Sequence, residues 1–229
     1  FFAGDLGQRI FQQPFSWKSL GIDVRGRSFT LRVNYRTTQQ IQNFAERILP
    51  SVIEDVQGEA SNALADRPVA LMHGPAPELR GYENIPAEMR GLKEWIYRCL
   101  NENIQPGEIA IFARGTMLQE VEKTLEDILC ERGVRARKLG RETQPVQHEL
   151  NYGTAHSAKG LEFRAVAVVG VTATHFPSYA TMKEIGDPAE REMREHQERR
   201  LLYTVCTRPR ERLYVSWSPS TRRSEFLKG

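Results

Sequence analysis

The sequence predicts an α/β fold in which helices flank a mostly parallel β-sheet. Short apolar runs typical of buried strands, such as residues 109–112 and 165–171, alternate with longer segments of helical periodicity. This alternation is typical of layered α/β domains, because each crossover helix covers one face of the sheet. The near-continuous apolar run at 165–171 indicates a central parallel strand, since such a strand is buried on both faces.

The individual elements follow from periodicity and from helix start and stop signals. Thr37 with Gln40, and Thr116 with Gln119, match capping boxes and predict two helix starts. Gly133 predicts the end of the second of these helices. The remaining predicted helices cover residues 87–101 and a segment that begins at Asp187. The predicted strands cover residues 28–33, 69–72, 109–112, 134–138, 151–155, 165–171 and 213–217, and residues 74–86 are predicted to be a connection.

The composition sets limits on function. The chain has 229 residues, 40% hydrophobic and 27% charged, with a net charge of +3. It is long enough to bury a core, and its mildly basic balance permits nucleic acid as a partner. Its three cysteines lack metal-ligand or redox-pair spacing, which favours a reducing compartment such as the cytoplasm. It has no apolar run of membrane-spanning length, so no membrane partner is expected.

Arginine is concentrated in residues 198–212, which contain five arginines and two glutamates interleaved with Leu201, Leu202, Tyr203 and Val205. The planar, permanently charged guanidinium group suits phosphate oxygens. The segment therefore suggests a polyanion site on an otherwise buried helix. The alternative is a core helix with an ordinary charged face.

Two further segments place polar side chains next to predicted element ends. Gly4-Asp5-Leu6-Gly7-Gln8 follows an apolar strand end, where a turn can present an amide to a ligand. Arg36 precedes the predicted cap at Thr37, close to helix N-terminal amides that attract anions. An ordinary turn and a surface arginine are the alternatives.

Small and hydroxyl-bearing residues form a loop between two predicted strands, with the sequence Gly153-Thr154-Ala155-His156-Ser157-Ala158-Lys159-Gly160. Small side chains allow the backbone to approach a ligand closely. The Gly-x-x-x-x-Gly-Lys-Ser/Thr pattern that cradles phosphates is absent from the sequence. This loop is therefore not the one that holds the β- and γ-phosphates of a nucleotide.

The order and spacing of these segments resemble the later motifs of UvrD/Rep-type superfamily 1 DNA helicases. The matching motifs are Gly-Asp-x-x-Gln (4–8), Asn-Tyr-Arg-Thr (34–37), Thr-Ala-His-Ser-Ala-Lys-Gly-Leu-Glu-Phe (154–163) and Glu-Arg-Arg-Leu-Leu-Tyr-x-x-x-Thr-Arg (198–208). Phe176-Pro177-Ser178 matches another recurrent feature of the family. The resemblance extends over residues 4–217.

This resemblance implies a domain organisation. Helicases of this type have two RecA-like motor domains with ATP bound in the cleft between them. Residues 1–27 are then expected to be the tail of the first motor domain, and residues 28–229 the second. The apolar start at Phe1 likewise predicts a segment of a longer parent chain, whose first domain carries the P-loop and the Mg²⁺-binding acidic motif. The interval from Arg36 to Thr154 is too short for the large accessory insertion common in the family, which is expected to be absent or vestigial.

The resemblance also assigns roles on the ATP side of the domain. Gln8 would sense the γ-phosphate, and Arg36 and Arg208 would reach across the cleft to stabilise charge on it. Glu162 would hydrogen-bond the ribose. Tyr35 would contact the adenine or pack as a core residue. The predicted site residues are thus Arg36, Arg208 and Gln8 for catalysis and Glu162, Gly160 and Tyr35 for ATP binding.

On the DNA side, Thr154 and His156 would lie near the single-stranded DNA track. The family often continues after Gln8 with an aromatic-Arg-Gly element, and here only Phe11 matches it. Phe11 and Trp17, together with Phe15, are predicted to stack on bases. The alternative is that these aromatic residues cover the core of the first motor domain.

The predicted function is therefore that of the second motor domain of an ATP-dependent DNA helicase or translocase, with 3′→5′ polarity by resemblance. Its partners would be single-stranded or partial duplex DNA and the first motor domain. The segment alone lacks the P-loop and is expected to be inactive. The alternative is a non-hydrolysing nucleic-acid-binding or adaptor protein with a degenerate motor. A metal-dependent nuclease has little support, because the five histidines are scattered and no carboxylates have metal-binding spacing.

Overall fold

A computed structural model describes residues 33–49, 52–54, 60–62, 69–140 and 145–227. The strands are β1 (Val33–Thr38), β2 (Val52–Glu54), β3 (Ala60–Asn62), β4 (Val69–Met72), β5 (Glu78–Gly81), β6 (Ile109–Ala113), β7 (Ala136–Lys138), β8 (Leu150–Thr154), β9 (Phe163–Val168) and β10 (Pro209–Trp217). The helices are α1 (Gln39–Glu46), α2 (Ile85–Asn101), α3 (Met117–Arg132), α4 (Tyr179–Lys183) and α5 (Pro188–Cys206).

The main sheet has six strands in the order β5–β10–β9–β6–β8–β7, and every neighbouring pair is parallel. The predicted α/β class with a mostly parallel sheet is confirmed. β6 and β9 are the inner strands, and all five residues of β6 are buried. Their apolar sequences fit this position, because both faces of an inner parallel strand are covered.

Alternate residues of β9 enter two different cores. Val166 and Val168 pack with side chains of α1 and α5 on one face of the sheet. Ala165 and Ala167 pack with side chains of α2 and α3 on the other face. This follows from the two-residue period of a strand. The sheet is therefore a shared middle layer between two helical layers.

The first predicted capping box is wrong. Thr37 belongs to β1, and its hydroxyl donates a 2.8 Å hydrogen bond to the carbonyl oxygen of Pro209. The residue before α1 is Thr38, whose side chain makes no capping hydrogen bond. The Gln40 side chain instead accepts a hydrogen bond from the Gly74 amide. Tertiary contacts thus use the groups that the local pattern assigned to a cap.

The second predicted capping box is also wrong, although the helix that it predicted is present. Thr116 precedes α3 but makes no side-chain hydrogen bond to it. The end of α3 is as predicted, with Gly133 in the left-handed region at a φ of 67°. The start of α5 matches its prediction too, since the Asp187 carboxylate accepts a 2.9 Å hydrogen bond from the Glu190 amide.

Two differences concern the sheet. Residues 74–86 were predicted to be a connection, yet they contain β5, which pairs with β10 at the edge of the sheet. β10 also begins at Pro209, four residues before the predicted start.

Among the residues described, no helix is long and apolar enough to cross a membrane. Gln8, Phe11, Phe15, Trp17 and the predicted strand residues 28–32 lie outside the described residues.

Candidate functional site

Among the described residues, four of the predicted site residues lie at opposite edges of the main sheet. We use the term amino edge for the side on which β9 and β10 begin, and carboxyl edge for the side on which β6, β8 and β9 end. Glu162 and Arg208 directly precede β9 and β10, so they lie at the amino edge. Thr154 ends β8 and His156 follows it, so both lie at the carboxyl edge. The structure separates the predicted ATP-side residues from the predicted DNA-side residues.

Arg36 and Glu162 meet at the amino edge. The Arg36 Nε atom lies 3.0 Å from Glu162 Oε2, and the two side chains are 49% and 41% exposed. Arg210 approaches the other carboxylate oxygen at 4.0 Å. An exposed pair of this kind adds little to stability. Both arginines are therefore available to an anionic ligand at low energetic cost.

The backbone around Arg36 is fixed on both sides. The Arg36 amide donates a 2.8 Å hydrogen bond to the side chain of Asn34, and Asn34 in turn donates to Gln42 of α1. The residue after Arg36, Thr37, donates a hydrogen bond to the carbonyl oxygen of Pro209 at the start of β10. The guanidinium group thus extends from a strand end that is held to both α1 and β10.

Arg208 is arranged differently, because only 1% of it is exposed. Its Nε donates to the carbonyl oxygen of Thr204 at 2.8 Å, and one terminal nitrogen donates to the carbonyl oxygen of Leu161 at 3.2 Å. The other terminal nitrogen donates to the Thr207 hydroxyl. In this conformation the guanidinium group is directed into the protein and joins the end of α5 to the segment before β9.

Tyr35 is 72% exposed, so it is not a core residue of the described part of the chain. It lies on the outer face of β1, which pairs in parallel with β4. Val33, Val69 and Leu71 are exposed on the same small sheet, at 38%, 59% and 56%. An aromatic ring and aliphatic side chains thus give this small sheet an exposed apolar surface.

The segment between β8 and β9 runs from the carboxyl edge to the amino edge. It begins with a short 3₁₀ helix, Ala155–Ala158, in which the Ser157 hydroxyl donates to the carbonyl oxygen of Thr154 at 2.8 Å. A Cβ atom on Gly153 would lie 2.6 Å from the Ser157 hydroxyl oxygen, so any larger residue would require the Ser157 side chain to move. Gly160 is exposed to solvent. Its φ of 81° lies in the left-handed region, which favours glycine.

A buried ion pair lies at the carboxyl edge. Arg114, directly after β6, contacts the carboxylate of Glu198 in α5, and the side chains are 14% and 8% exposed. Arg114 also donates a 2.9 Å hydrogen bond to the carbonyl oxygen of His175. Glu198 accepts a 3.1 Å hydrogen bond from the Ser178 amide. Sequence reasoning missed Arg114, although an arginine directly after a fully buried strand was the available signal.

Two histidines flank this pair. Partial burial lowers the pKa of His156, and the positive charge of Arg114 lowers it further. Burial and Arg114 likewise lower the pKa of His175, whose Nδ1 lies 2.9 Å from the Thr172 hydroxyl. Both imidazoles are therefore neutral near pH 7 and can act as hydrogen-bonding groups there.

Arg199 makes structural contacts. It pairs with Glu195 one helical turn earlier at 3.0 Å and donates to the carbonyl oxygen of Ile48. Its guanidinium carbon lies 4.3 Å from the centre of the Phe226 ring. These contacts tie α5 to the segment after α1 and to the C-terminal segment. Part of the arginine-rich sequence thus serves packing.

The described residues contain no group of three histidine, cysteine, aspartate or glutamate side chains that could hold a metal ion. Mg²⁺ in nucleotide sites is usually held by one or two carboxylates together with phosphates and water, so the described residues by themselves do not form a complete Mg²⁺ site.

Residues 116–220 match the family model of the UvrD-like helicase C-terminal domain. DNA helicase II of Haemophilus influenzae is 40% identical over 81 residues, covering 35% of this chain and 10% of that protein. The ATP-dependent DNA helicase PcrA of Staphylococcus aureus is 43% identical over 67 residues, covering 29% of this chain and 8% of that protein. The chain thus spans about a tenth of the length of these curated relatives.

A solved structure shows the same fold. The C-terminal domain of a possible DNA helicase from Lactobacillus plantarum superposes with a TM-score of 0.55 and 22% sequence identity. The match covers 85% of this chain and 92% of that one. At this identity the match supports the fold alone, and it confirms the expected RecA-like arrangement of a parallel sheet between helices.

Proposed function

Residues 116–220 belong to the UvrD-like helicase C-terminal domain family, and on that premise we propose that this chain is the second motor domain of an ATP-dependent DNA helicase or translocase. In this proposal the amino edge faces ATP and the carboxyl edge faces single-stranded or partial duplex DNA. The observation that carries it is that Arg36, Glu162 and Arg208 lie at one edge of the sheet, while Thr154 and His156 lie at the other. The proposed direction of movement is 3′→5′.

The exposed cation at the amino edge supports the ATP half of the proposal. Arg36 is half exposed on a firmly held strand end, and its exposed partner Glu162 is a weak competitor for it. Phosphoryl transfer needs positive charge beside the γ-phosphate, because its loose transition state spreads negative charge over the phosphate oxygens. We propose that Arg36 leaves Glu162 to provide that charge, and that Glu162 then hydrogen-bonds the ribose.

Arg208 would act in the same cleft only after a change of side-chain conformation. Its present partners include two carbonyl oxygens and a hydroxyl. Each of these hydrogen bonds has one charged partner and contributes about 1.5–3 kcal/mol net, whereas a phosphate is charged as well and can accept two guanidinium hydrogen bonds at once, so it would compete for the guanidinium group. We propose that ATP draws Arg208 out of this internal position while Tyr35 contacts the adenine and Gly160 lies close to the nucleotide.

The neutral groups of the carboxyl edge support the DNA half. Thr154 and His156 are exposed there and lie close to the buried Arg114–Glu198 pair. Hydroxyl and neutral imidazole groups can form hydrogen bonds with the sugars and phosphates of a DNA strand. Phe11 and Trp17, outside the described residues, are proposed to stack on bases.

The proposed parent protein supplies the parts that this chain lacks. Residues 1–27 would be the end of a first RecA-like domain, and residues 28–229 the second domain without a large insertion. Mg²⁺ would neutralise charge on the ATP phosphates and would be held mainly by the first domain, together with the P-loop and with Gln8 nearby. The relatives are named as DNA helicases or as ATP-dependent DNA helicases, and this chain covers about a tenth of each.

The test is ATP hydrolysis and strand separation by the full-length protein that carries this domain, with and without single-stranded DNA. We expect DNA to stimulate hydrolysis strongly, and we expect a duplex with a 3′ single-stranded tail to be unwound. DNA binding without ATP hydrolysis would overturn the proposal in favour of an adaptor protein. Unwinding only from a 5′ tail would overturn the proposed direction alone.

A further inference from the structure

The Arg114–Glu198 pair connects three separate segments at the carboxyl edge. Arg114 follows β6, Glu198 lies in α5, and both contact the backbone of residues 175–178, which we name the edge loop. Arg114 binds the first residue of the edge loop through the carbonyl oxygen of His175. Glu198 binds its last residue through the amide of Ser178. The pair therefore holds the edge loop at both ends.

The side chains between these two anchor points are packed as well. Phe176 is fully buried, and the Arg114 guanidinium carbon lies 5.1 Å from the centre of its ring. The Ser224 hydroxyl donates to the carbonyl oxygen of Phe176. The edge loop thus has little freedom to move while the ion pair is intact, and its geometry depends on where Arg114 and Glu198 hold it.

Stability alone does not explain a buried ion pair. Removing two charges from water is costly, and apolar residues of similar volume often replace such a pair without loss of stability. What apolar residues cannot reproduce are the two charge-assisted hydrogen bonds to His175 and Ser178. These bonds fix the position of a backbone segment, which is a geometric role.

The position of the pair links the two edges of the sheet. α5 packs against the 3₁₀ helix that contains His156, and it ends just before Arg208. Glu198 lies ten residues before Arg208, so α5 connects the edge loop to the amino edge over roughly 15 Å at the rise of an α-helix. If α5 moved at the amino edge, Glu198 would move with it and would displace the edge loop.

We propose that Arg114 and Glu198 are positioning residues that hold the edge loop in the geometry required for single-stranded DNA to stimulate ATP hydrolysis. This inference rests on the proposed function. In the proposed function neither Arg114 nor Glu198 contacts ATP. Their loss is therefore expected to change the response to DNA, with hydrolysis in the absence of DNA largely retained.

The test uses the full-length protein with Arg114→Met, Glu198→Leu and the double variant Arg114→Met/Glu198→Leu. Each single variant leaves one buried charge unpaired and is expected to lower the thermal unfolding temperature. The double variant removes both charges and is expected to recover much of that temperature. It still lacks both hydrogen bonds to the edge loop, so it separates positioning from stability.

The matched control is Arg137→Met/Glu149→Leu. Arg137 and Glu149 form an ion pair of 2.8 Å between β7 and β8, and Arg137 is 41% exposed. This pair holds no loop backbone of the carboxyl edge. The control is expected to behave like the wild-type protein in every measurement that follows.

The main measurement is the concentration of oligothymidylate that gives half-maximal stimulation of ATP hydrolysis. In the double variant we expect it to rise about tenfold or more, the scale on which small misplacements reduce function, while hydrolysis without DNA stays within about twofold of wild type. Hydrogen exchange should become faster at the Ser178 amide, which loses its acceptor. A double variant with wild-type DNA response and wild-type exchange would overturn the inference.

Failure of the proposed function can be told apart from failure of this inference. If the wild-type protein does not hydrolyse ATP, the proposed function is wrong. The part of the inference that does not depend on hydrolysis, namely that the pair positions the edge loop for DNA, is then decided by fluorescence anisotropy of labelled oligothymidylate. A loss of affinity of about tenfold in the double variant would support it, and unchanged affinity would overturn it.

Discussion

The carboxylate of Glu88 accepts a hydrogen bond of 2.6 Å from the hydroxyl of Ser216, which joins the first turn of α2 to β10 inside the protein. The same carboxylate accepts hydrogen bonds from the Gly170 amide at 2.8 Å and from the Ser218 hydroxyl. Glu88 has no exposed surface. One side chain therefore joins α2 to the carboxyl ends of the neighbouring strands β9 and β10.

We predict that Glu88→Ala lowers the free energy of unfolding by about 2–4 kcal/mol, because three buried donors lose their acceptor. Urea denaturation of the purified chain measures this. Glu94→Ala, an exposed position on the same helix, is the control and should change the free energy of unfolding by less than about 0.5 kcal/mol. Equal effects of the two substitutions would show that the Glu88 hydrogen bonds are unimportant.

Two adjacent threonines allow a sharper comparison. Thr37→Val removes the buried hydrogen bond to Pro209 and should cost about 1 kcal/mol or more of unfolding free energy. Thr38→Val replaces a buried hydroxyl that has no hydrogen-bond partner among the described residues, so it should not destabilise the protein. Thermal unfolding of the two variants measures the loss of stability caused by each substitution. Destabilisation by Thr38→Val that equals or exceeds that of Thr37→Val would contradict a stabilising role for the hydrogen bond between Thr37 and Pro209.

Gly153→Ala tests the close approach at the end of β8. The new Cβ atom would lie 2.6 Å from the Ser157 hydroxyl oxygen and 3.2 Å from the carbonyl oxygen of Leu139. We expect a loss of about 1–3 kcal/mol in unfolding free energy, the usual cost of overpacking. Gly186→Ala is the control, because no atom lies within 4 Å of its added Cβ. A neutral Gly153→Ala would mean that Ser157 moves away freely.

The pH dependence of stability should depend in part on His175. Burial and Arg114 lower its pKa below the ordinary 6.5, while Glu88 and the Gly170 backbone oppose this shift. Below pH 6.5 the unfolded chain therefore takes up the proton before the folded protein does. The stabilisation is complete above pH 6.5 and is lost as the pH falls towards the lowered pKa.

We predict that His175→Asn reduces the fall in unfolding temperature between about pH 7.5 and about pH 5.5, because asparagine takes up no proton in this range. Differential scanning calorimetry at several pH values measures it. An unchanged slope in His175→Asn would show that this histidine does not titrate differently on folding.

Local sequence signals were reliable where local interactions decide the structure. The Asp187 carboxylate caps α5 and Gly133 ends α3 as predicted, since both act within one helical turn. The threonine patterns failed because Thr37 bonds to Pro209, a residue distant in the sequence. β5 was missed because the segment Glu78–Gly81 has little apolar character and is a strand only through its pairing with β10.

The matched motifs predicted candidate residues but not their arrangement. The placement of Glu162 beside Arg36 depends on how β1 packs against the start of β10, which the motif order does not specify. Arg114 and Glu88 belong to none of these motifs. A signal for Glu88 was present, because it shares a helix face with the buried Leu92 and Trp95, where a carboxylate must have partners.

The central claim is that the amino edge supplies cationic charge for ATP hydrolysis, and Arg36→Ala in the full-length protein tests it most directly. Arg36 is exposed, so its removal should not unfold the domain. Arg137→Ala is the matched control, since Arg137 is also an exposed arginine paired with a glutamate through Nε. We predict that DNA-stimulated hydrolysis falls about a hundredfold or more in Arg36→Ala and stays near wild type in Arg137→Ala. Hydrolysis within a few-fold of wild type in Arg36→Ala would contradict the account.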